Sequence, residues 1–138
     1  MPASTRGRVD AAPAYAPMSL ADLGAHLAGA SDDDHRWRLL AEFLEEFRWA
    51  PPGERLHLLS AAPPSTQDRR WDVLLAALAE HLAAREGRAA PAWADGKILE
   101  QFWFPFNTDA ARVDAFVHAP AAFRSRGVFL AARELEVA

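Results

Sequence analysis

The sequence predicts an all-α protein: a compact irregular bundle of about six or seven helices, with room for a short C-terminal strand. Three observations carry this. Apolar residues recur at three- and four-residue steps in nearly every segment, whereas the two-residue alternation of a half-buried strand is almost absent. Helix-starting residues (Ser, Asp, Asn, Thr or Pro) stand directly before those stripes. Proline- and glycine-bearing breaks divide the chain at short intervals.

Residues 1–18 are small, polar and proline-bearing and are read as a flexible tail; residues 19–138 are read as a single helical domain. Ser19 is placed to cap the first helix, "SLADLGAHLAGA", with Asp22 three residues on in the reciprocal position. Leu20, Leu23 and Leu27 share one face. Ser31 to Asp34 opens a second helix reaching about Trp49, since carboxylates oppose the positive end of a helix dipole. Its stripe is Trp37, Leu40, Ala41, Leu44 and Phe47. "PPG" at 51–53 breaks it, and a short helix carrying Leu56, Leu58 and Leu59 follows.

After "AAPPSTQD", Ser65 or Asp68 caps the longest helix, which runs to about Arg85. Trp71, Leu75, Leu78 and Leu82 form its stripe, widened by Val73 and Leu74, and Gly87 suits the position after the cap. A helix from Trp93 to Phe104, stopped by Pro105, is expected next. Asn107 or Thr108 caps a further helix whose Val113, Phe116 and Val117 are expected to face inward. Pro120 opens a last turn ended by Gly127; "VFLAA" reads as a strand or strap, and "RELEVA" trails off.

Composition bounds the function. The 138 residues suit one core, and five tryptophans and eight phenylalanines supply much of its area, because each large ring buries roughly 150–250 Å². A net charge of −4 lacks the basic surplus of a dedicated nucleic-acid binder. Without cysteine there is no disulfide, thiolate metal site or cysteine nucleophile. No apolar run approaches the roughly 20 residues that span a bilayer, and the N-terminus has no signal-peptide core, so a cytoplasmic protein without a membrane partner is expected.

No catalytic, metal or cofactor motif is visible. "DDDH", Asp32 to His35, lacks the ligand spacing and glycine of a calcium loop and reads as a solvated helix start. The histidines (His26, His35, His57, His81 and His118) include no pair four apart, and there is no HExxH, GxSxG, Walker loop or GxGxxG.

The aromatic run "FWFPF", residues 102–106, is the remaining candidate. A helix face cannot take every ring, and Pro105 redirects the chain, so the run reads as a corner. Trp103, Phe104 and Phe106 are candidate anchors for a protein partner, with Glu42 and Glu46 on an acidic face spanning Asp32 to Glu46. Plugging the core is the alternative role for the rings. Two rival functions stand beside partner binding: DNA binding with Arg124 and Arg126 as phosphate contacts, and a ligand-binding or enzymatic bundle with a pocket lined by Trp71, Trp93 and Trp103.

The segments "RRWDVLLAALAEHLAAREGRAAPAW" and "FWFPFNTDAARVDAFVHAPAAFRSRGVFL" resemble the C-terminal module of small uncharacterised antitoxin-like or regulatory proteins of actinobacterial type. The matching positions are Trp71, Leu74, Leu75, His81, Pro91, Trp93, Phe102 to Pro105, Pro120, Phe123, Gly127 and Phe129, within residues 35–136. Ala119 departs from the usual serine before Pro120, and residues 1–30 are too short and too poor in basic groups for the helix-turn-helix of longer relatives. The resemblance implies a steric partner protein that neutralises or regulates a cognate protein, such as a nucleotidyltransferase-like toxin, with no enzyme activity and no cofactor. It assigns no oligomeric state.

Overall fold

Capping side chains fix where most helices begin. The computed structural model describes residues 16–136, and six α-helices lie within them. Helix α1, Leu20–Ala28, starts on a reciprocal box in which Asp22 N donates to Ser19 Oγ (3.0 Å) and Ser19 N donates to Asp22 Oδ2 (3.1 Å). Helix α2, Asp33–Trp49, starts on Asp32, which accepts from His35 N at 2.8 Å. Helix α3, Pro52–Ser60, uses proline in its first turn, where a missing N–H costs nothing. Asp68 caps α4, Arg69–Arg85, and Gly87 follows its end with a positive φ of 74°. Thr108 caps α5, Asp109–His118, and Pro120 precedes the short α6, Ala121–Arg124.

Helix α4 is the centre of the bundle. Its Trp71, Val73, Leu74, Leu75, Ala76, Ala77, Leu78 and Ala79 are all buried, so it is apolar all round, as a helix enclosed by others must be. Helices α1, α3 and α6 pack on it, and α1 also packs on α2. Leu20, Leu23 and Leu27 of α1 have no exposed surface, as their shared face requires. In α2 the buried set is Leu40, Phe43, Leu44 and Phe47. Ala41, placed on the stripe by spacing, is exposed; Phe43 takes that place and packs on Phe47 at 5.7 Å between centroids. Leu56 of α3 is half-buried, while Leu58 and Leu59 are in the core.

Three further expectations need correction. The segment 93–104 is not a helix. A single 3₁₀ turn, Ala92–Ala94, gives way to extended chain after Gly96, whose φ is 75°. Backbone N–H groups that a helix would use internally bond elsewhere: Leu99 N donates to Arg126 O (2.9 Å) and Trp103 N to Gly127 O (2.8 Å). Phe129 N completes the link by donating to Trp103 O at 2.8 Å, one isolated parallel bridge between Trp103 and Val128. "VFLAA" is therefore an extended strap without a sheet among the described residues. Second, Val113, Phe116 and Val117 of α5 face outward, not inward. Third, "RELEVA" does not simply trail off: Ala132–Leu135 forms a 3₁₀ turn that buries Leu135. The tail assignment for 1–18 lies mostly outside the described residues; at its end, Met18 N donates to Glu46 Oε1 at 2.6 Å.

Candidate functional site: an aromatic and aliphatic face

Phe129 organises a region where several large apolar side chains stay in water together. Its own ring is buried. Phe102 and Phe104 lie 5.0 Å from it between centroids, and Phe116 lies 6.2 Å away. Such separations are those of favourable ring pairs. The backbone bridge from Trp103 to Val128 holds the two segments side by side, and α5 brings Phe116 in from the other flank.

The outer members are exposed far beyond what a core residue shows. Phe102 keeps 69% of its surface, Val113 65%, Phe116 60% and Val117 61%. Helix α5 buries only Ala115. Its amphipathic pattern is thus intact but reversed: the small residue packs inward and the large ones meet solvent. Ala115 turns inward, while Val113, Val117 and most of Phe116 are left to solvent.

Arginines cover this cluster. The Arg112 guanidinium lies 4.3 Å from the centroid of Phe104 and donates to Asn107 Oδ1 at 2.8 Å. Arg124 lies over both Phe116 (5.7 Å) and Phe129 (5.4 Å) and donates to Phe116 O. Arg70 lies 5.0 Å over Trp103. Cations over ring faces are attracted by the ring quadrupole. On the far flank of α5, Arg133 pairs with Asp114 at 2.6 Å.

The sequence-predicted residues divide in two. Trp103 and Phe106 are half-buried against the core: Trp71 packs on Trp37 at 4.8 Å and on Trp103 at 5.7 Å, and Trp37 packs on Phe106 at 4.9 Å. Phe104 is half-buried beneath Arg112. Phe102, which spacing did not single out as an anchor, is the exposed ring of the run. Glu42 is exposed on α2, whereas Glu46 is engaged by Met18 N. Among the two arginines assigned to phosphate, Arg124 lies over the rings just described and Arg126 is buried. Arg126 Nε and Nη2 donate to Glu80, and Nη1 donates to Ala94 O (2.7 Å) and Lys97 O (2.9 Å), so it has no free edge for a phosphate. Trp71 has no exposed surface with which to line a pocket, and Trp93 spends its Nε1–H on Leu59 O at 3.0 Å.

Burial alone would raise the Asp68 carboxyl, but hydrogen bonds from Arg70 outweigh it and hold the group below the usual carboxylate range; Arg70 is raised in turn, chiefly by that bond. Burial against Phe123, with Arg85 nearby, lowers His81. Neither site belongs to the exposed face. Among the described residues no group of three or more histidines and carboxylates is placed to hold a metal ion, and no helix is long and apolar enough to cross a membrane.

The chain matches no protein-family model, and searches of curated proteins and of solved structures return no significant similarity.

Proposed function

We propose that this chain is a protein-binding domain whose contact surface is the outward face of α5 together with Phe102. One observation carries the reading: four large apolar side chains, three on α5 and Phe102 joined to them through the Phe129 ring, are each at least 60% exposed. At roughly 200 Å² per phenylalanine ring, Phe102 and Phe116 alone leave on the order of 250 Å² in water. The valines extend this into the few-hundred-Å² range of functional patches on monomeric proteins. Aromatic and arginine side chains in one patch are also the types that dominate binding energy.

The mode of action in this proposal is steric: the face covers a surface of a cognate protein, in the cytoplasm, and regulates or neutralises it, as an antitoxin-like partner does. A nucleotidyltransferase-like toxin is the cognate protein that the sequence resemblance suggests. Direct DNA binding is less favoured, because Arg126 is committed to internal hydrogen bonds.

The test is affinity capture from the native host with the wild-type chain and with Val113→Asp/Val117→Asp. The wild type should retain a specific protein in fixed stoichiometry, and the double variant should lose it while keeping its helical circular dichroism. Equal capture by both would remove this face from the interaction.

A further inference from the structure

Resting on that reading, we infer that the α5 face accepts an amphipathic helix whose carboxylates run along one flank only. Successive residues are about 100° apart around an α-helix. With Val113 at the centre of the exposed face, Val117 lies about 40° to one side and Phe116 about 60° to the other. Arg112 follows at about 100° on the Phe116 side, and Asp114 at about 100° on the opposite side. The valine stripe is thus bordered by unlike charges.

The two borders are not equivalent. On the Phe116 side, Arg112 is exposed, and Arg124 lies over the Phe116 and Phe129 rings. Asn107 and Phe116 satisfy one N–H of each through oxygens that carry no charge, so both keep their full positive charge. Asp109, four residues before Val113, also falls on this side at about 40°, in the first turn of the helix, so the phenylalanine flank carries two arginines against one carboxylate. On the other side, Asp114 is already neutralised by Arg133. A partner therefore meets net positive charge along the phenylalanine flank and none along the valine flank.

An acidic amphipathic helix fits this arrangement. Its apolar stripe covers Val113, Val117, Phe116 and Phe102, and its carboxylates meet Arg112 and Arg124, where charge-assisted hydrogen bonds to a planar guanidinium fork are strong. Helix-in-groove recognition reads such anchors at three- and four-residue spacing. A single-stranded nucleic acid also uses exposed rings and arginines. The centre of this face is aliphatic, however, so a strand of bases would leave Val113 and Val117 without a stacking role.

The experiment uses the full chain and fluorescence anisotropy with three labelled probes. Two are synthetic helices sharing one leucine stripe, flanked by glutamate in one and by lysine in the other; the third is oligothymidylate. The glutamate helix should bind about tenfold tighter than the lysine helix, and the preference should shrink in high salt. Arg112→Glu, at an exposed position, should reverse the order. Equal binding of both helices, abolished by Val117→Asp, would overturn the charge assignment while leaving the apolar face as a docking surface. Binding of neither helix, or binding indifferent to Val117→Asp, would overturn both. Oligothymidylate binding in preference to either helix would also overturn the inference and assign the face to nucleic acid.

Discussion

Arg126 reaches across forty-six residues of chain to Glu80, its Nε and Nη2 lying 3.0 and 2.9 Å from one carboxylate oxygen. The same guanidinium accepts no role at the surface, because its Nη1 closes on the carbonyls of Ala94 and Lys97. One side chain thus ties the end of α6 to the middle of α4 and to the non-helical segment that precedes the aromatic corner. That segment has little regular structure of its own, so its path depends on this clamp.

Arg126→Ala should cost about 2–3 kcal/mol, since it leaves two carbonyls and a partly exposed carboxylate without their donor. Urea unfolding monitored by tryptophan fluorescence reads the loss. Arg124→Ala, whose hydrogen bond is to the exposed Phe116 carbonyl near the end of α5, should cost less than half as much. Equal costs would show that the Arg126 clamp is not what holds the segment.

Gly127→Ala should destabilise by roughly 1–3 kcal/mol. The residue has φ 85°, and an added Cβ would stand 3.2 Å from Leu99 O and 3.3 Å from Leu99 Cβ. The strain falls on the two backbone bonds at Leu99 and Trp103, so hydrogen exchange at those amides should quicken first. Unchanged exchange there would separate the glycine from the bridge.

Substitutions on the α5 face should divide from substitutions beneath it. Val117→Asp and Phe116→Ala should change folding stability by no more than about 0.5 kcal/mol, as exposed positions do, while abolishing partner capture. Trp103→Ala should cost about 3 kcal/mol, because its ring is half-buried against Trp71. A Val117→Asp chain that fails to fold would show that the helix needs its outer face for stability.

Acid should weaken the fold through His81. Burial lowers its pKa, so the folded protein binds the proton less readily than the unfolded chain. The contribution is therefore present above the unfolded histidine value, near 6.5, and is lost as pH falls through the lower folded value. Comparing melting temperatures at pH 7.5 and pH 5, His81→Gln should show a smaller fall than the wild type. A fall of the same size would assign the acid sensitivity to the carboxylates.

Local chemistry was legible where it acts within a few residues. Ser19 with Asp22, Asp68, and Gly87 all do in the structure what their spacing implies. Leu20, Leu23 and Leu27, and the α4 stripe of Trp71, Leu75, Leu78 and Leu82 with Val73 and Leu74, read correctly as core for the same reason: helical periodicity is a property of neighbours in sequence. The helix expected over 93–104 failed because its competitor is remote. The carbonyls of Arg126 and Gly127 take the amide hydrogens of Leu99 and Trp103, and nothing near Trp93 announces them.

The candidate site was half legible. The aromatic run marks the corner, but spacing could not say that Phe102 is its exposed ring while Trp103 joins Trp71. Nor could it choose between the two faces of α5, since a stripe of valine and phenylalanine serves a core and a docking surface equally well.

From sequence alone this protein is determined to be a compact bundle of capped helices, because caps and apolar periods act over one or two turns. Only the tertiary structure decided that α5 packs by Ala115, leaving Val113, Phe116 and Val117 outside, and that Arg126 lies buried on Glu80. Those choices depend on which surfaces remain once α4 is enclosed, a matter of space filled by residues far away in the chain.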